Sequence, residues 1–266
     1  MEHNLDKTYT ASESLIEQAT PSAPSGCPPW GAAKRGGGTE HTRSVAFLTH
    51  PLFQAYLEIL LRENAKYNLT AITDPEDIRQ KHFADSLALL DDEPCPIPQT
   101  ASLLDVGSGG GFPGVPLKLA RPDISLTLLE ATGRKADFLR LLVRELGIEA
   151  AVMNARAEQA AHDPAFREQF DVVVARAVAA LPMLCELCLP FVKPGGVFVA
   201  YKGPKEKAGM ELEAARGAIA LLGGALERVH GEATVYGGRT RIMIRKISQT
   251  PANYPRNHGV MRKKPL

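Results

Sequence analysis

A glycine-rich turn between a predicted strand and a predicted helix most constrains how this chain of 266 residues can fold. Leu103-Leu104-Asp105-Val106 is typical of the end of a buried strand, and glycine follows at positions 107, 109 and 111. Since glycine has no Cβ, it lets the backbone turn sharply and approach a ligand closely. Pro113 suits the first turn of a helix, where its missing N–H costs nothing. This order predicts a nucleotide-binding corner.

The glycine spacing narrows the class of nucleotide site. A dinucleotide turn requires G-x-G-x-x-G, but Phe112 stands where the third glycine belongs. A P-loop does not fit either, because no Gly-Lys-Ser/Thr follows. The pattern from Asp105 to Gly111 is D-x-G-x-G-x-G. It is similar to the cofactor loop of S-adenosylmethionine-dependent methyltransferases.

The net charge does not by itself indicate a polyanion partner, and the cysteine content does not indicate a disulfide scaffold or a metal site. The net charge is +1, but the eight Arg and Lys residues of 239–266 occur without Asp or Glu. This basic run predicts either a phosphate-attracting edge or a solvated, partly disordered tail. Four cysteines are too few for a disulfide framework. Cys185-x-x-Cys188 lacks a second ligand pair, so we expect helix packing and no metal.

The N-terminal residues 1–44 are polar and rich in Pro, Ser and Gly, which predicts a disordered extension. The first residues show no signal peptide. No apolar run reaches the roughly 20 residues of a membrane helix. We therefore expect a soluble, cytoplasmic monomer with no membrane partner.

The rest of the chain predicts one methyltransferase domain, residues 45–248, followed by a basic tail, residues 249–266. Residues 45–95 show helical spacing and form a predicted cap, and residues 101–248 form a predicted Rossmann-like core. Predicted strands are Ser102–Val106, Ile124–Glu130, Glu149–Asn154, Asp171–Ala175, Gly196–Tyr201, Leu226–Val229 and Thr240–Ile247. Predicted core helices are Pro113–Ala120, Arg134–Leu146, Leu181–Phe191 and Lys205–Leu222.

The alternation of these strands and helices predicts a parallel sheet with helices on both faces. No helix separates the last two strands, and Gly237-Gly238 precedes the second of them. We therefore expect an antiparallel hairpin there. Seven strands that end in a hairpin resemble the class I methyltransferase fold of the α/β class.

Candidate site residues follow the strands, because ligands of such sheets lie beyond the carboxyl ends. Glu130 ends the second strand and is a candidate for both ribose hydroxyls, or simply an acid favoured by the following helix dipole. Ala157 and Glu158 follow the third strand and are candidates for the adenine, with helix capping as the alternative for Glu158. Arg176 ends the fourth strand, where it is expected to meet the cofactor or an acceptor phosphate. Lys202 ends the fifth, as an RNA contact or a solvated lysine.

The residues after the fourth strand bear on the methyl acceptor. Methylation of an exocyclic amine usually goes with an Asp/Asn-Pro-Pro-aromatic turn, but this position reads Ala175-Arg176-Ala177-Val178. Methylation of a pyrimidine carbon needs a cysteine nucleophile, and no cysteine follows directly. A ring nitrogen such as guanine N7 already offers a lone pair and needs neither group. Positioning is then most of the catalysis, with no catalytic side chain required except a contribution from Arg176.

Several segments together resemble the RsmG (GidB) family of small-subunit ribosomal RNA methyltransferases. The matching segments are Tyr67–Ile72, His82–Leu87, Leu104–Leu117, Leu129-Glu130, Arg134-Lys135, Phe138-Leu139, Asp171–Ala177, Lys202-Gly203, Tyr254–Arg256 and Lys264–Leu266. The resemblance implies N7-methylation of one guanine, guanine 527 of 16S rRNA, by S-adenosylmethionine. It also implies cofactor contacts for Gly107, Phe112, Ala157, Glu158 and Arg176. Glu130 departs from the family's usual Asp but keeps the carboxylate.

The RNA contacts are our own assignment. We expect His82, Lys135, Lys202 and Arg256 to contact 16S rRNA or the small ribosomal subunit. Two other functions stay open on the sequence: a small-molecule methyltransferase with the same core, and a non-catalytic RNA-binding protein on this scaffold.

Overall fold

The computed structural model describes residues 48–232 and 238–266. The predicted extension, residues 1–44, and Gly237 of the predicted turn lie outside the described residues. The predicted domain boundaries at residues 44 and 248 stay predictions.

Seven strands form one sheet in the order β3-β2-β1-β4-β5-β7-β6. They are β1 (Ser102–Val106), β2 (Ser125–Glu130), β3 (Ala150–Asn154), β4 (Phe170–Arg176), β5 (Val192–Lys202), β6 (Gly224–Glu232) and β7 (Arg239–Lys246). Each predicted strand is present; β5 begins four residues earlier than predicted, and β6 begins two residues earlier and ends three residues later.

Helices precede the sheet and connect most of its strands. They are α1 (Pro51–Tyr67), α2 (Pro75–Ile78), α3 (Asp85–Leu87), α4 (Gly114–Ala120), α5 (Gly133–Glu145), α6 (Ala157–Ala160), α7 (Leu181–Cys188), α8 (Lys205–Leu221) and α9 (His258–Lys263). The last of these lies within the predicted basic tail.

The first five strands are parallel, and β1 lies between β2 and β4. The chain builds outward from β1 to β3, then crosses to the other side of β1 to form β4. The gap between β1 and β4 is therefore the point where strand order reverses, which is where doubly wound sheets bind their ligands. Val172, Val173 and Val174 of β4 are fully buried, as expected for a strand covered on both faces.

The last two strands form the predicted antiparallel pair, but their order along the sheet was not predicted. β7 pairs with β5 on one side and β6 on the other, antiparallel to both. β7 therefore lies inside the sheet, and Ile242, Met243 and Ile244 are fully buried. This position also buries Arg241, which has consequences for the charge of the region.

The N-terminal cap confirms helical structure but not one regular helix after Asp74. Asp74 caps α2 as predicted, since its Oδ1 accepts a hydrogen bond from the Asp77 N–H at 2.9 Å. A π-helical segment, Arg79–Ala84, then follows, and a 3-10 turn, Ala88–Asp91, ends the run. π-helical turns are rare and often lie at functional sites. This segment therefore distinguishes the cap from a helix that serves only packing.

The cap packs directly on the glycine turn. Phe53, Tyr56 and Phe83 of the cap are buried together, and the Tyr56 hydroxyl donates to the Gly110 carbonyl at 2.5 Å. The cap thus closes one side of the β1–α4 turn.

Candidate active site

The turn after β1 has the left-handed backbone that its glycines predict. Gly107, Gly109 and Gly111 have φ values of +73°, +56° and +95°. The N–H groups of Gly107 and Ser108 both donate to the Leu129 carbonyl, at 2.8 and 3.2 Å. The turn is therefore fastened to the end of β2 and is a fixed part of the sheet edge.

Two of these glycines are also required by close packing. A Cβ at Gly107 would lie 2.6 Å from Val178 Cγ2. A Cβ at Gly111 would lie 2.5 Å from the Tyr56 hydroxyl and 3.0 Å from Val115 Cγ2. The turn passes between the cap and the segment after β4 with no room for side chains at these positions.

Asp105, near the end of β1, accepts a hydrogen bond from the residue that begins α4 after the turn. It is fully buried, and its Oδ2 accepts the Gly114 N–H at 2.9 Å. Its Oδ1 has no hydrogen-bond partner among the described residues. Burial raises the pKa of Asp105 to about 7, because the charged form loses its hydration.

Glu130 holds the turn from the side. One carboxylate oxygen accepts the Gly109 N–H at 3.0 Å, and the other accepts the Thr132 N–H at 2.8 Å. A carboxylate has about four acceptor positions, so each oxygen keeps capacity for a further donor. Glu130 can therefore fix the turn and still accept bonds from a ligand.

A crevice of about 510 Å³ opens at this edge, a volume within the range of small-ligand sites. The ends of β1 and β2 contribute Val106, Gly107, Leu129, Glu130 and Ala131; the turn after β3 contributes Ala155, Arg156, Ala157 and Glu158; the turn after β4 contributes Ala177, Val178, Ala179 and Ala180; and the helices contribute Met183, Leu187, His258 and Arg262. The lining is mostly apolar and includes two carboxylates, Glu130 and Glu158.

Four of the six predicted cofactor residues line this crevice together: Gly107, Glu130, Ala157 and Glu158. The other two, Phe112 and Arg176, lie behind it. Phe112 stacks on Tyr56 and His82, with ring centroids 5.3 and 4.6 Å apart. The cofactor roles of all six stay predictions.

Arg176 joins the end of β4 to the cap. Its guanidinium donates to Asp85 Oδ2 at 2.8 Å and to His82 Nδ1 at 3.2 Å, and it lies 4.9 Å from the centre of the Phe112 ring. Ala177 follows with a positive φ of 58°, which turns the chain so that the next residues line the crevice. The backbone after Arg176, and not its side chain, therefore forms the crevice wall.

His82 is a neutral member of this cluster. Burial and the neighbouring Arg176 charge lower its pKa to about 4. Because Nδ1 accepts from Arg176, the proton is assigned to Nε2, which lies 2.8 Å from Thr70 Oγ1. Both ring nitrogens already have partners, and the predicted RNA contact of His82 stays a prediction.

The other predicted RNA contacts differ in whether their side-chain charges are already paired within the protein. Lys202 donates to the Ala179 carbonyl at 3.0 Å and pairs with Glu211 at 2.5 Å. The Arg256 guanidinium donates to the buried Glu186 carboxylate from Nε and Nη2, at 2.8 and 2.7 Å. Lys135 is half-buried in the first turn of α5. Their RNA roles stay predictions.

The crevice includes residues that the sequence analysis did not single out. Val178 and Met183 carry no charge or motif and gave no signal. His258 and Arg262 come from α9, which begins at the N-cap Asn257; its Oδ1 accepts the Val260 N–H at 3.0 Å. An Asn before a short helical run is a recognisable start signal, so this helix was detectable.

Cys185 and Cys188 are buried in the core on α7, and burial raises both thiol pKa values. Within residues 48–232 and 238–266, no group of His, Cys, Asp or Glu is arranged to hold a metal ion. Over the same residues no helix is long and apolar enough to cross a membrane.

Comparisons with known proteins agree on one family. The family model described as rRNA small subunit methyltransferase G matches residues 49–236. A protein of that name from Pelotomaculum thermopropionicum is 45% identical over 80% of this chain and 89% of its own. One from Alkaliphilus metalliredigens is 42% identical over 79% of this chain and 88% of its own.

A solved structure supports the fold class. A Klebsiella pneumoniae protein provisionally assigned as an O-methyltransferase superposes with a TM-score of 0.51 at 15% identity, covering 75% of this chain and 91% of its own. The fold predicted from the alternation and the final hairpin, that of class I methyltransferases, is confirmed.

Proposed function

The chain belongs to the rRNA small subunit methyltransferase G family, and on that premise we propose that it transfers a methyl group from S-adenosylmethionine to N7 of guanine 527 in 16S rRNA. Its acceptor is 16S rRNA or the small ribosomal subunit. We also propose that it acts as a monomer in the cytoplasm.

The crevice between β1 and β4 is the observation that carries this proposal. Gly107 lines the crevice with backbone alone, and Glu130 offers free acceptor positions to ribose hydroxyls. Ala157 and Glu158 line the crevice after the neighbouring strand β3, where we propose that the adenine is held. The residues present therefore fit a nucleoside-based methyl donor.

When bound, S-adenosylmethionine supplies an electrophilic methyl group. The protein's contribution is to hold the guanine so that the N7 lone pair points along the S–CH₃ bond. Correct orientation can supply about 7–11 kcal/mol of the barrier. No proton has to leave N7 before transfer, so the reaction requires no general base. The buried thiols of Cys185 and Cys188 are likewise not needed.

Arg176 has a supporting part in this arrangement. Asp85, His82 and Phe112 hold its guanidinium against the cap, and the crevice wall 177–180 continues directly from it. We propose that this cluster fixes the wall against which donor and guanine meet.

The test is mass mapping of methylated nucleotides in 16S rRNA from cells with and without this protein. We expect one methyl group on guanine N7 at position 527, present only with the protein. A matched in-vitro control uses RNA with 7-deazaguanine at that position, which has carbon in place of N7 and should take no label. Methylation at another atom or nucleotide would contradict the specificity.

The two alternative functions give different results. A small-molecule methyltransferase would turn over without RNA and with weak salt dependence. A non-catalytic RNA-binding protein would bind RNA but release no heat on titration with S-adenosylmethionine.

A further inference from the structure

The fold neutralises most of the basic run 239–266. Five of its eight bases pair with carboxylates that lie outside the run, within 3.5 Å. The pairs are Arg239–Asp85, Arg241–Asp92, Arg245–Glu227, Lys246–Glu168 and Arg256–Glu186. These five charges are therefore used inside the fold.

The three remaining bases, Arg262, Lys263 and Lys264, behave differently. All are exposed, and none has an ion pair or hydrogen bond from its side chain to the rest of the described chain. Arg262 lines the crevice, together with the exposed Arg156 from the turn after β3. We call these four residues the α9 patch. Arg156 and Arg262 line the crevice, and the exposed Lys263 and Lys264 follow Arg262 directly in the chain.

The α9 patch is held on a firm base. Met261, directly before Arg262, is fully buried, and Leu266 packs against the core. Arg167 donates to the Tyr254 carbonyl at 2.9 Å and His162 Nε2 lies 2.8 Å from the Pro255 carbonyl. The chain is thus anchored before, within and after the patch, so its cations project from a fixed support.

We propose that the α9 patch binds backbone phosphates of the RNA acceptor beside the target nucleotide. The inference rests on the proposed function, because it names the part of the surface that receives the RNA. Unpaired cations beside a crevice where the methyl donor and the RNA acceptor meet are suited to backbone phosphates of that RNA. Arg256 and Lys202, by contrast, have their charges occupied by Glu186 and Glu211.

The experiment compares two triple variants of the full chain with equal loss of charge. R262Q K263Q K264Q removes three patch cations. R140Q R144Q R216Q removes three exposed arginines from α5 and α8, in the halves of these helices that lead away from the crevice. Binding of fluorescently labelled protein to small ribosomal subunits is measured between 50 and 300 mM KCl, without methyl donor; this range is about that over which phosphate contacts dominate the salt dependence.

Each phosphate contact contributes about 0.7–0.9 to the slope of log affinity against log salt. We expect the patch variant to lose about 2 in slope and at least tenfold in affinity at low salt, and the control variant to match wild type. An unchanged slope in the patch variant, an equal loss in both variants, or no salt-dependent binding by wild type overturns the inference.

A second measurement separates RNA binding from donor binding. S-adenosylhomocysteine titrated into K263Q K264Q should bind as to wild type; a loss of more than about threefold would instead make α9 part of the donor site and overturn the inference. Because binding to subunits is measured without methyl transfer, failure of the guanine-N7 assignment would leave this result unaffected and be recognised separately.

Discussion

The glycine turn after β1 and the basic run 239–266 are equally conspicuous in the sequence, but the fold treats them differently. The turn has the shape that its residues predict, with positive φ at Gly107, Gly109 and Gly111. The basic run is largely not a charged surface, since five of its eight bases pair with carboxylates elsewhere.

This difference shows which sequence patterns predict structure from neighbouring residues alone and which do not. A backbone angle depends on a residue and its neighbours. The effect of a charge depends on what the rest of the chain places beside it. Asp85 and Asp92, which pair with Arg239 and Arg241, are about 150 residues earlier in the chain.

The largest expected effect concerns the turn. Gly111→Ala should destabilise the protein by about 4 kcal/mol, because it adds overpacking against Tyr56 and Val115 to the strain of a positive φ. Gly147→Ala is the matched control: Gly147 also has a positive φ, of 62°, but a Cβ at this position would meet no atom within 4 Å. The control should lose only about 1 kcal/mol. Chemical denaturation measures both; equal losses would mean that packing does not constrain the turn.

The next largest effect concerns the basic run. Arg241 is buried on Asp92, at 3.0 and 2.7 Å, whereas the Arg245–Glu227 pair is partly exposed. Arg241→Gln leaves a buried carboxylate without its main partner and should cost about 3 kcal/mol. Arg245→Gln should cost less than about 1 kcal/mol. Similar losses in urea denaturation would show that burial does not distinguish the two bases.

Arg256→Gln tests whether this base serves stability or RNA. It removes two charged hydrogen bonds to Glu186, whereas the Arg256 N–H still donates to that carboxylate at 2.8 Å. We expect a loss of about 2 kcal/mol in unfolding free energy. The salt dependence of binding to small subunits should not change. A slope reduced by about 0.7–0.9 would restore Arg256 as a phosphate contact.

The smallest effect, counted per pH unit, is a pH dependence that originates at Asp105, below the turn. The pKa of Asp105 is raised from its ordinary 3.8 to about 7, so the folded protein binds this proton more tightly than the unfolded chain. Its contribution to stability is full below about pH 4 and is lost as pH rises through about 7. Between pH 5 and 6, wild type should lose about 1 kcal/mol per pH unit relative to Asp105→Asn. Parallel pH profiles of unfolding free energy for the two proteins would contradict this.

Much of the site could be predicted from the sequence for the same local reason. β1 was predicted to the residue, and Gly107, Glu130, Ala157 and Glu158 line one crevice because parallel strands place their carboxyl ends along one edge. Phe112 comes directly after this turn and Arg176 is the last residue of β4, but both side chains point toward the cap. Side-chain direction there depends on the π-helical segment Arg79–Ala84, whose register the helical spacing did not reveal.

The amino-acid sequence by itself determined the alternation of strands and helices, the left-handed turn after β1 and the family to which the chain belongs. The alternation and the turn follow from periodicity and backbone angles, which act over a few residues, whereas the family follows from the resemblance of its motif segments. Only the tertiary structure decided that β7 lies between β5 and β6, that α9 closes one end of the crevice, and which bases keep a free charge. Those features depend on which groups the fold brings within a few ångströms of one another, and the depth of burial then sets how much each pairing matters for stability.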